Sequence, residues 1–243
     1  MALESLATRR FKSELMDQPF LDVSEHARAL IGLGRLNSLS GACRGIWREI
    51  AARASVAPGQ PLRILDVASG GGDIAFGIWK LARRARVDVR IEGLDISPAA
   101  CELASKLCQK AGRTISFHCA DVTTSILPAG FDVAMSSLFL HHLSRDDAIA
   151  LLVKMCAAGR LLIASDLRRS AVGYAVARMA CRLVTRSRIV HNDGPQSVAN
   201  AFTLAEMREI CTAAGLSGAV VRRAWPWRLL VIRDGSLSDH APD

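Results

Sequence analysis

The sequence predicts an α/β fold built on a doubly wound, mostly parallel sheet with helices on both faces. After the chain break at residues 57–61, short apolar runs alternate with segments of helical periodicity. Strands separated by helices pair in parallel, because a parallel connection needs a long crossover. Only the last two strands, joined by Trp225-Pro226-Trp227, are close enough in the chain to pair antiparallel.

Each element is predicted from its own signals. The strands are expected over 62–67, 87–94, 114–119, 131–136, 160–165, 219–224 and 228–232. Helices are expected over 73–85, 97–111, 146–158 and 203–214, with two more after Asp22 and over 40–54. Ser97 followed by Pro98 favours a helix start, and Thr203 with Glu206 forms a capping box.

This pattern divides the chain into an N-terminal helical lid (1–56), a ligand-binding α/β domain (57–234) and a flexible tail (235–243). Residues 168–201 interrupt the alternation after the fifth strand with an apolar, Arg-rich segment. We expect this helical insertion to be a lid over the substrate. Its apolar face is predicted to comprise Val172, Tyr174, Ala175, Met179 and Leu183, with Arg178, Arg182, Arg186 and Arg188 spread around it.

Composition and charge limit the classes of binding partner. The net charge of +8 fits a solvated basic surface, an anionic membrane face or an acidic substrate. Nucleic acid is the weaker alternative, because only one Tyr is present and no basic run is interleaved with aromatics. No apolar run is long enough for a membrane span, and no signal peptide is recognised. The seven scattered Cys residues form no CxxC pair, which favours reduced thiols, a cytoplasmic location and no metal site.

Three consecutive glycines, Gly70, Gly71 and Gly72, lie between the first strand and the helix after it. Glycine lets the backbone approach a ligand closely, and a helix N-terminus offers free N–H donors. Gly70-x-Gly72-x-x-Ala75 also fits the dinucleotide fingerprint, so the loop alone leaves NAD(P) open. A P-loop is excluded, because no Gly-Lys-Ser/Thr follows.

Acidic residues at successive strand ends favour S-adenosylmethionine (SAM) over a dinucleotide. Asp66 ends the first strand, where a carboxylate would repel a pyrophosphate but suit the cationic groups of SAM. Asp95 ends the second strand and is placed to accept the ribose hydroxyls, and Asp121 follows the third, where an acid can accept the adenine amino group.

These blocks resemble, in order and spacing, the motifs of class I SAM-dependent methyltransferases. Asp66-Val-Ala-Ser-Gly-Gly-Gly-Asp73 is especially similar to the cofactor loop of the ubiquinone/menaquinone-biosynthesis methyltransferases. Asn37 and Ser40-Gly41 with Arg44 and Trp47 are similar to that group's N-terminal element, one residue shorter. The chain departs from the pattern at Cys156-Ala-Ala-Gly-Arg160, where the family has a Lys-Pro-Gly-Gly turn. The resemblance implies a seven-stranded Rossmann-like sheet whose last strand is antiparallel.

The resemblance also implies a site. Asp66, Ala68, Ser69, Gly70 and Gly72 would frame the methionine part of SAM. Further residues are assigned to the rest of the cofactor: Asp95 and Ile96 to the ribose, Asp121 and Val122 to the adenine, Ser136 and Ser137 to the methionine moiety.

Methyl transfer needs a base only if the acceptor must lose a proton, because the sulfonium is already activated. The candidates are His141 and His142 beyond the fourth strand and His191 in the insertion, while Asp166 ends the fifth strand and could face the acceptor or cap the next segment. We expect O- or C-methylation of a small hydrophobic or aromatic acceptor of secondary metabolism, such as a phenol, quinone precursor or polyketide-like acid. A basic lid could also rest on a membrane surface.

Two alternatives stay open at this point: an NAD(P)-dependent oxidoreductase, and a SAM-fold binding protein without turnover. The sequence does not identify the acceptor, the methylated atom, or whether the protein is a monomer or a homodimer.

Overall fold

The computed structural model describes residues 6–9, 11–17, 22–54, 57, 59–109 and 115–235. The strands are β1 (Leu62–Val67), β2 (Val89–Asp95), β3 (Ile115–Cys119), β4 (Phe131–Ser137), β5 (Gly159–Leu167), β6 (Val220–Ala224) and β7 (Arg228–Asp234). The helices are α1 (Val23–Ser40), α2 (Ala42–Arg53), α3 (Asp73–Arg84), α4 (Pro98–Gln109), α5 (Arg145–Ala158), α6 (Ala171–Val184), α7 (Arg188–Asn200) and α8 (Leu204–Ala213). Short 3₁₀ turns cover Leu15–Asp17 and Leu140–His142.

The seven strands form one sheet in the order β3-β2-β1-β4-β5-β7-β6. Strands β1 to β5 pair in parallel, and β7 lies antiparallel between β5 and β6. The predicted doubly wound sheet with one antiparallel strand is therefore confirmed. The chain winds from β1 out to β3, then crosses back to β4 on the other side of β1. Ligands of open α/β sheets bind at such a switch point, beyond the carboxyl ends of the strands.

The central strands of the sheet are buried on both faces. Ile64 and Leu65 are neighbours on β1 and point to opposite faces, and both are fully buried. One face packs on α2 and α3, with Ile46 and Ile78 in its core, and the other packs on α5 and α8. A strand buried on both sides is held rigidly, so the residues at its end have fixed positions.

The insertion contains two helices, α6 and α7, which residues 185–187 separate. The sequence predicts a helical lid for this segment without showing that it consists of two helices. Helix α4 is described to Gln109, so the predicted end of this helix near residue 111 lies outside the described residues, as do residues 236–243 of the predicted tail. No helix in the described ranges is both long and apolar enough to cross a membrane.

Gly159 explains the departure from the family's turn before the fifth strand. Helix α5 passes directly into β5 at this residue. A Cβ at Gly159 would lie 2.7 Å from the backbone nitrogen of Ala134 on β4. Glycine alone allows this close approach, so one glycine replaces a longer turn.

We expect Gly72→Ala to destabilise the fold more than Gly41→Ala does. Both glycines adopt a left-handed backbone, with φ of 75° and 71°. A Cβ at Gly72 would lie 2.9 Å from the Cβ of Ala104 on α4, whereas a Cβ at Gly41 would meet nothing within 4 Å. Backbone strain alone costs about 1–2 kcal/mol, and overpacking adds roughly 1–3 kcal/mol. Urea denaturation of both variants measures the difference, and equal losses would show that α4 shifts to accept the methyl group.

Candidate active site

The loop after β1 has a backbone that brings it close to any ligand above it. Ala68, Gly70 and Gly72 have φ of 57°, 53° and 75°. Gly72 is the N-cap of α3 and offers no side chain to cap it. At the start of α3, the N–H groups of Asp73 and Ile74 donate to the Asp73 carboxylate, which therefore lies at the switch point beside the loop.

Buried polar atoms around this loop lack partners within the described part of the chain. They are Oδ2 of Asp66 and the hydroxyl oxygens of Ser69, Ser136 and Ser137. All lie at or just beyond the carboxyl ends of the adjacent strands β1 and β4. Because native proteins pair almost all such atoms, this cluster indicates a polar ligand. It coincides with the residues assigned to the methionine part of SAM, so the side chains fit the cofactor.

The carboxyl of Asp66 is 1% exposed, and burial raises its pKa well above the usual value, with Asp73 and Asp95 adding to the shift. No cation in the described chain forms a salt bridge to it. A carboxyl held in this way gains most from a cationic ligand, which restores its charge. The amino and sulfonium groups of SAM meet that requirement.

Asp95 is held in place by two backbone N–H groups, and its assignment to the ribose stays a prediction. Its Oδ2 accepts the N–H of Gly70 at 2.7 Å, and its Oδ1 accepts the N–H of Ser97 at 2.9 Å. The carboxylate thus links the glycine loop to the start of α4. Ile96 beside it is 65% exposed, and its assignment to the ribose also stays a prediction.

Asp121 follows β3, and its Oδ1 accepts both the N–H and the hydroxyl of Thr123, at 2.8 and 2.6 Å. The hydrogen bond from the Thr123 side chain is the main cause of a lowered pKa, so the group is ionised at neutral pH. Val122 next to it is buried. The assignment of these two residues to the adenine stays a prediction.

Helix α1 lies against the cofactor loop. A Cβ built on Gly71 would lie 3.6 Å from Leu30. The side-chain amide of Asn37 donates to Oδ2 of Asp73 at 3.0 Å and accepts from Arg228 at 2.9 Å. The predicted N-terminal element therefore contacts the first residue of α3, and Asn37 keeps this contact although the motif is one residue shorter.

A second cavity, of about 390 Å³, adjoins this region. It lies between α1, α6, α7 and the turns after β4 and β6, and Asn37 and Leu138 line it. Its walls are mainly apolar, with a cluster of ionisable groups at one place. This volume lies within the range of small-molecule sites, roughly 300–1,000 Å³. We call it the acceptor cavity.

The ionisable cluster comprises Glu14, His141, His142 and Asp166. The buried Asp166 accepts the backbone N–H of His141 at 2.9 Å and the ring Nδ1–H at 2.6 Å. Burial alone would raise the pKa of Asp166, but the charge and hydrogen bonds of His141 outweigh it and lower the pKa. Asp166 thereby fixes the orientation of the His141 ring, whose Nε2 lies towards Glu14.

Glu14 faces both imidazoles. Its Oε1 lies 3.7 Å from Nε2 of His141, and its Oε2 lies 3.9 Å from Nε2 of His142. Burial raises the pKa of Glu14, and the two histidines and a hydrogen bond from Ser197 offset only part of that rise. A carboxylate at this place stabilises a proton on either imidazole.

Hydrogen bonds between residues 11–17 and α7 fix the position of Glu14. The N–H groups of Leu15 and Met16 donate to the carboxylate of Asp193, each at 2.9 Å. The side chain of Asn200 accepts the N–H of Lys12 at 3.1 Å and donates to its carbonyl at 2.8 Å. This part of the predicted N-terminal lid therefore forms one wall of the cavity.

Glu14, His141 and His142 offer ligand atoms that lie within 4.8 Å of one another. Two imidazoles and a carboxylate are a donor set that divalent cations use, with the Asp166–His141 hydrogen bond as support. The sequence predicted no metal here, because Glu14 is distant in the chain and forms no recognisable spacing with the histidines.

The third predicted base, His191, is placed differently. Its Nε2 lies 2.7 Å from the carbonyl oxygen of Thr185, and its neighbours Val190 and Asp193 line the cavity instead. The geometry thus favours His141 and His142 over His191.

Most of the apolar side chains assigned to the lid helix point outward, and Tyr174 is half-buried. Val172, Met179 and Leu183 are 58, 59 and 78% exposed. The opposite side of α6, including Val176 and Ala180, lines the acceptor cavity. Small and apolar residues occupy both sides of this helix, so its periodicity could not show which side is buried.

We expect Asp66→Asn to stabilise the ligand-free protein at alkaline pH. An acid with a raised folded-state pKa binds more protons when folded, so stability falls as pH rises from its usual value, about 4, towards the raised one. Asn removes this loss, and a gain of about 1–2 kcal/mol corresponds to roughly 2–8 °C in Tm. The pKa of Asp73 is also raised, so part of the fall in stability with rising pH remains in this variant.

Calorimetry between pH 5 and 8.5 measures this effect, with the exposed Asp88→Asn as the matched control. A variant that is less stable than the parent at pH 8 would show that Asp66 is ionised and stabilised in the free protein.

Comparison with known proteins agrees with this geometry. Residues 64–160 match the family model of a methyltransferase domain. Ribosomal protein L11 methyltransferase of Geobacter sulfurreducens is 31% identical over 134 residues, which are 54% of this chain and 42% of that protein. The chain thus spans less than half the length of this curated relative.

Two solved structures show the same fold. Human N-acetylserotonin methyltransferase in complex with SAM has a TM-score of 0.65 at 15% identity, over 96% of this chain and 65% of that one. Magnesium protoporphyrin IX methyltransferase of Synechocystis with bound S-adenosylhomocysteine has a TM-score of 0.55 at 18% identity, over 83% of this chain and 86% of that one. Membership of the quinone-biosynthesis group stays a prediction. Residues 64–160 therefore match a methyltransferase domain, and the chain has the fold of these two methyltransferases.

Proposed function

We propose that the protein transfers a methyl group from SAM to an oxygen or carbon atom of a small, largely apolar acceptor bound in the acceptor cavity. The observation that carries this proposal is the ionisable cluster in an apolar cavity next to the cofactor loop. A phenol, quinone precursor or polyketide-like compound offers both an apolar body and an acidic hydroxyl. Such acceptors place the enzyme in secondary metabolism, and the seven unpaired thiols favour the cytoplasm.

SAM supplies an activated methyl group, so the residues of the chain need to orient the acceptor and remove its proton. His142 is the more accessible of the two histidines, with 22% of its side chain exposed against 3% for His141. We assign the base to Nε2 of His142. Glu14 stabilises the proton that this nitrogen receives, while His141, held by Asp166, supports Glu14 from the other side.

The apolar walls exclude water and thereby strengthen these electrostatic contacts. These walls include Met16 from the N-terminal segment, Leu36 from α1 and Trp227 from the turn between β6 and β7. The names of the two solved relatives describe enzymes of small molecules, N-acetylserotonin and magnesium protoporphyrin IX, which supports a small acceptor here. The name of the Geobacter relative describes a protein acceptor, so a purified L11-type protein is a useful negative control.

Calorimetric titration with SAM, S-adenosylhomocysteine and NADH tests the cofactor assignment. We expect saturable binding of the first two and no heat with NADH. Asp95→Ala should weaken SAM at least tenfold, because it removes a ribose partner and frees the loop at Gly70. The matched control Asp88→Asn should bind as the parent does. Binding of NADH, or unchanged SAM affinity in Asp95→Ala, would contradict the assignment.

We expect His142→Asn to lower kcat for a phenolic acceptor about 10²–10⁴-fold, the usual contribution of a general base, with unchanged SAM affinity. His191→Asn, outside the cavity lining, should keep most of its activity. Glu14→Gln should shift the rise of kcat with pH to lower pH, because the neutral amide no longer stabilises a protonated imidazole.

Radiolabelled SAM and a panel of phenols and quinone precursors provide the assay. If the protein binds SAM but methylates no acceptor in the panel, the result would favour a binding protein without catalysis. The same assay after chelation, with Zn²⁺ or Mg²⁺ then added back, separates a base from a metal-activated hydroxyl. Loss of activity that only a metal restores would contradict the role of His142 as base.

A further inference from the structure

The outer surface beside the acceptor cavity carries an unusual number of exposed apolar side chains. They come from three elements: Ile31 and Leu39 from α1, Val172, Met179 and Leu183 from α6, and Trp225 from the turn between β6 and β7. Their exposed fractions run from 47% for Ile31 to 78% for Leu183 and Trp225. We call these six side chains the apolar rim.

The stripe on α6 is continuous. Val172, Ala175, Met179 and Leu183 are three or four residues apart, so they lie on one side of the helix and face outward. The inner side of the same helix lines the acceptor cavity. Because the inner side of α6 already faces the domain, folding does not require an apolar stripe on its outer side. The outer stripe therefore needs another explanation.

The rim adjoins the mouth of the acceptor cavity. Leu39 and Trp225 are 74 and 78% exposed, yet both line the cavity. The cavity therefore opens between apolar side chains that protrude into solvent. Any surface that covers the rim also faces the cavity mouth.

Arginines border the rim on the side of a large groove of about 1060 Å³. Ile31 and Leu183 of the rim line this groove together with five exposed arginines and a single carboxylate, Glu25. The arginines are Arg28, Arg35, Arg182, Arg186 and Arg188. Excess positive charge next to protruding apolar groups is complementary to an anionic lipid surface, which offers phosphate groups above an apolar layer.

We propose that this face docks on an anionic membrane, with the apolar rim inserted among the lipids and the arginines at their headgroups. Tryptophan and arginine side chains are suited to that boundary, because each has an apolar body and a polar end. A nucleic acid would use the arginines but leave Leu39, Met179 and Leu183 in water. Delivery of a lipophilic acceptor from the membrane into the cavity rests on the proposed function, whereas docking itself does not.

Sedimentation with vesicles tests the proposal. The probes are vesicles of phosphatidylcholine alone and of phosphatidylcholine with 30% phosphatidylglycerol, without SAM or acceptor. We expect the full chain to partition at least tenfold more strongly to the anionic vesicles, and less so as NaCl is raised. The double variant M179S/L183S should lose at least fivefold, and R182E/R186E should lose more.

Matched controls lie elsewhere on the surface. Ile126→Ser removes an apolar side chain that is 94% exposed, and R84E/R90E reverses two exposed arginines outside the groove and the rim. Both controls should bind vesicles as the parent does. SAM titration of every variant shows that the fold and cofactor site are intact, so a failure of docking is distinguishable from a failure of the proposed function.

Equal binding to both vesicle types, or equal losses in the rim variants and the controls, would overturn the proposal. Light scattering of the lipid-free protein adds an independent readout. A dimer that M179S/L183S converts to a monomer would show that a second copy covers the rim, and would also overturn the proposal.

Discussion

The hydrogen bond from Asn37 to Asp73 joins the cofactor loop to the acceptor cavity. Asn37 donates to the carboxylate of the half-buried Asp73 and accepts from Arg228, and Asn37 and Arg228 are both buried. Burial raises the pKa of Asp73 and lowers that of Arg228, and the hydrogen bond from Asn37 offsets part of the rise at Asp73. An amide can donate on one side and accept on the other, which neither a carboxylate nor an apolar side chain of similar size can do.

One helix consequently serves both halves of the site. Leu30 of α1 lies against the glycine loop, while Leu36 and Asn37 line the acceptor cavity. Within the described residues, the polar groups at the ends of β1 and β4 lack partners, and burial raises the pKa of Asp66 well above its usual value. These groups lower the free energy of unfolding of the free protein, and a cationic ligand would remove that loss of stability. Such a compromise between stability and function is common.

The sequence was sufficient for the sheet and for the cofactor residues because both obey local rules. Apolar periodicity predicts strands and helices, and Asp66 and Asp95 were identified by their positions at strand ends. Glu14 was missed because it contacts His141 across more than half of the chain, with no spacing that a single sequence reveals. The buried side of α6 could not be predicted because apolar residues occupy both of its sides, and only the packed structure shows which side is buried.

The most direct test of the account is a crystal structure of the protein with S-adenosylhomocysteine. We expect the ligand to lie over Gly70–Gly72 with its ribose hydroxyls on Asp95 and its amino group near Asp66. The predicted result includes α1 in its present place, with Asn37 bonded to Asp73. A ligand bound elsewhere, or an α1 that leaves the loop when the ligand binds, would contradict the central claim that one buried amide joins the two sites.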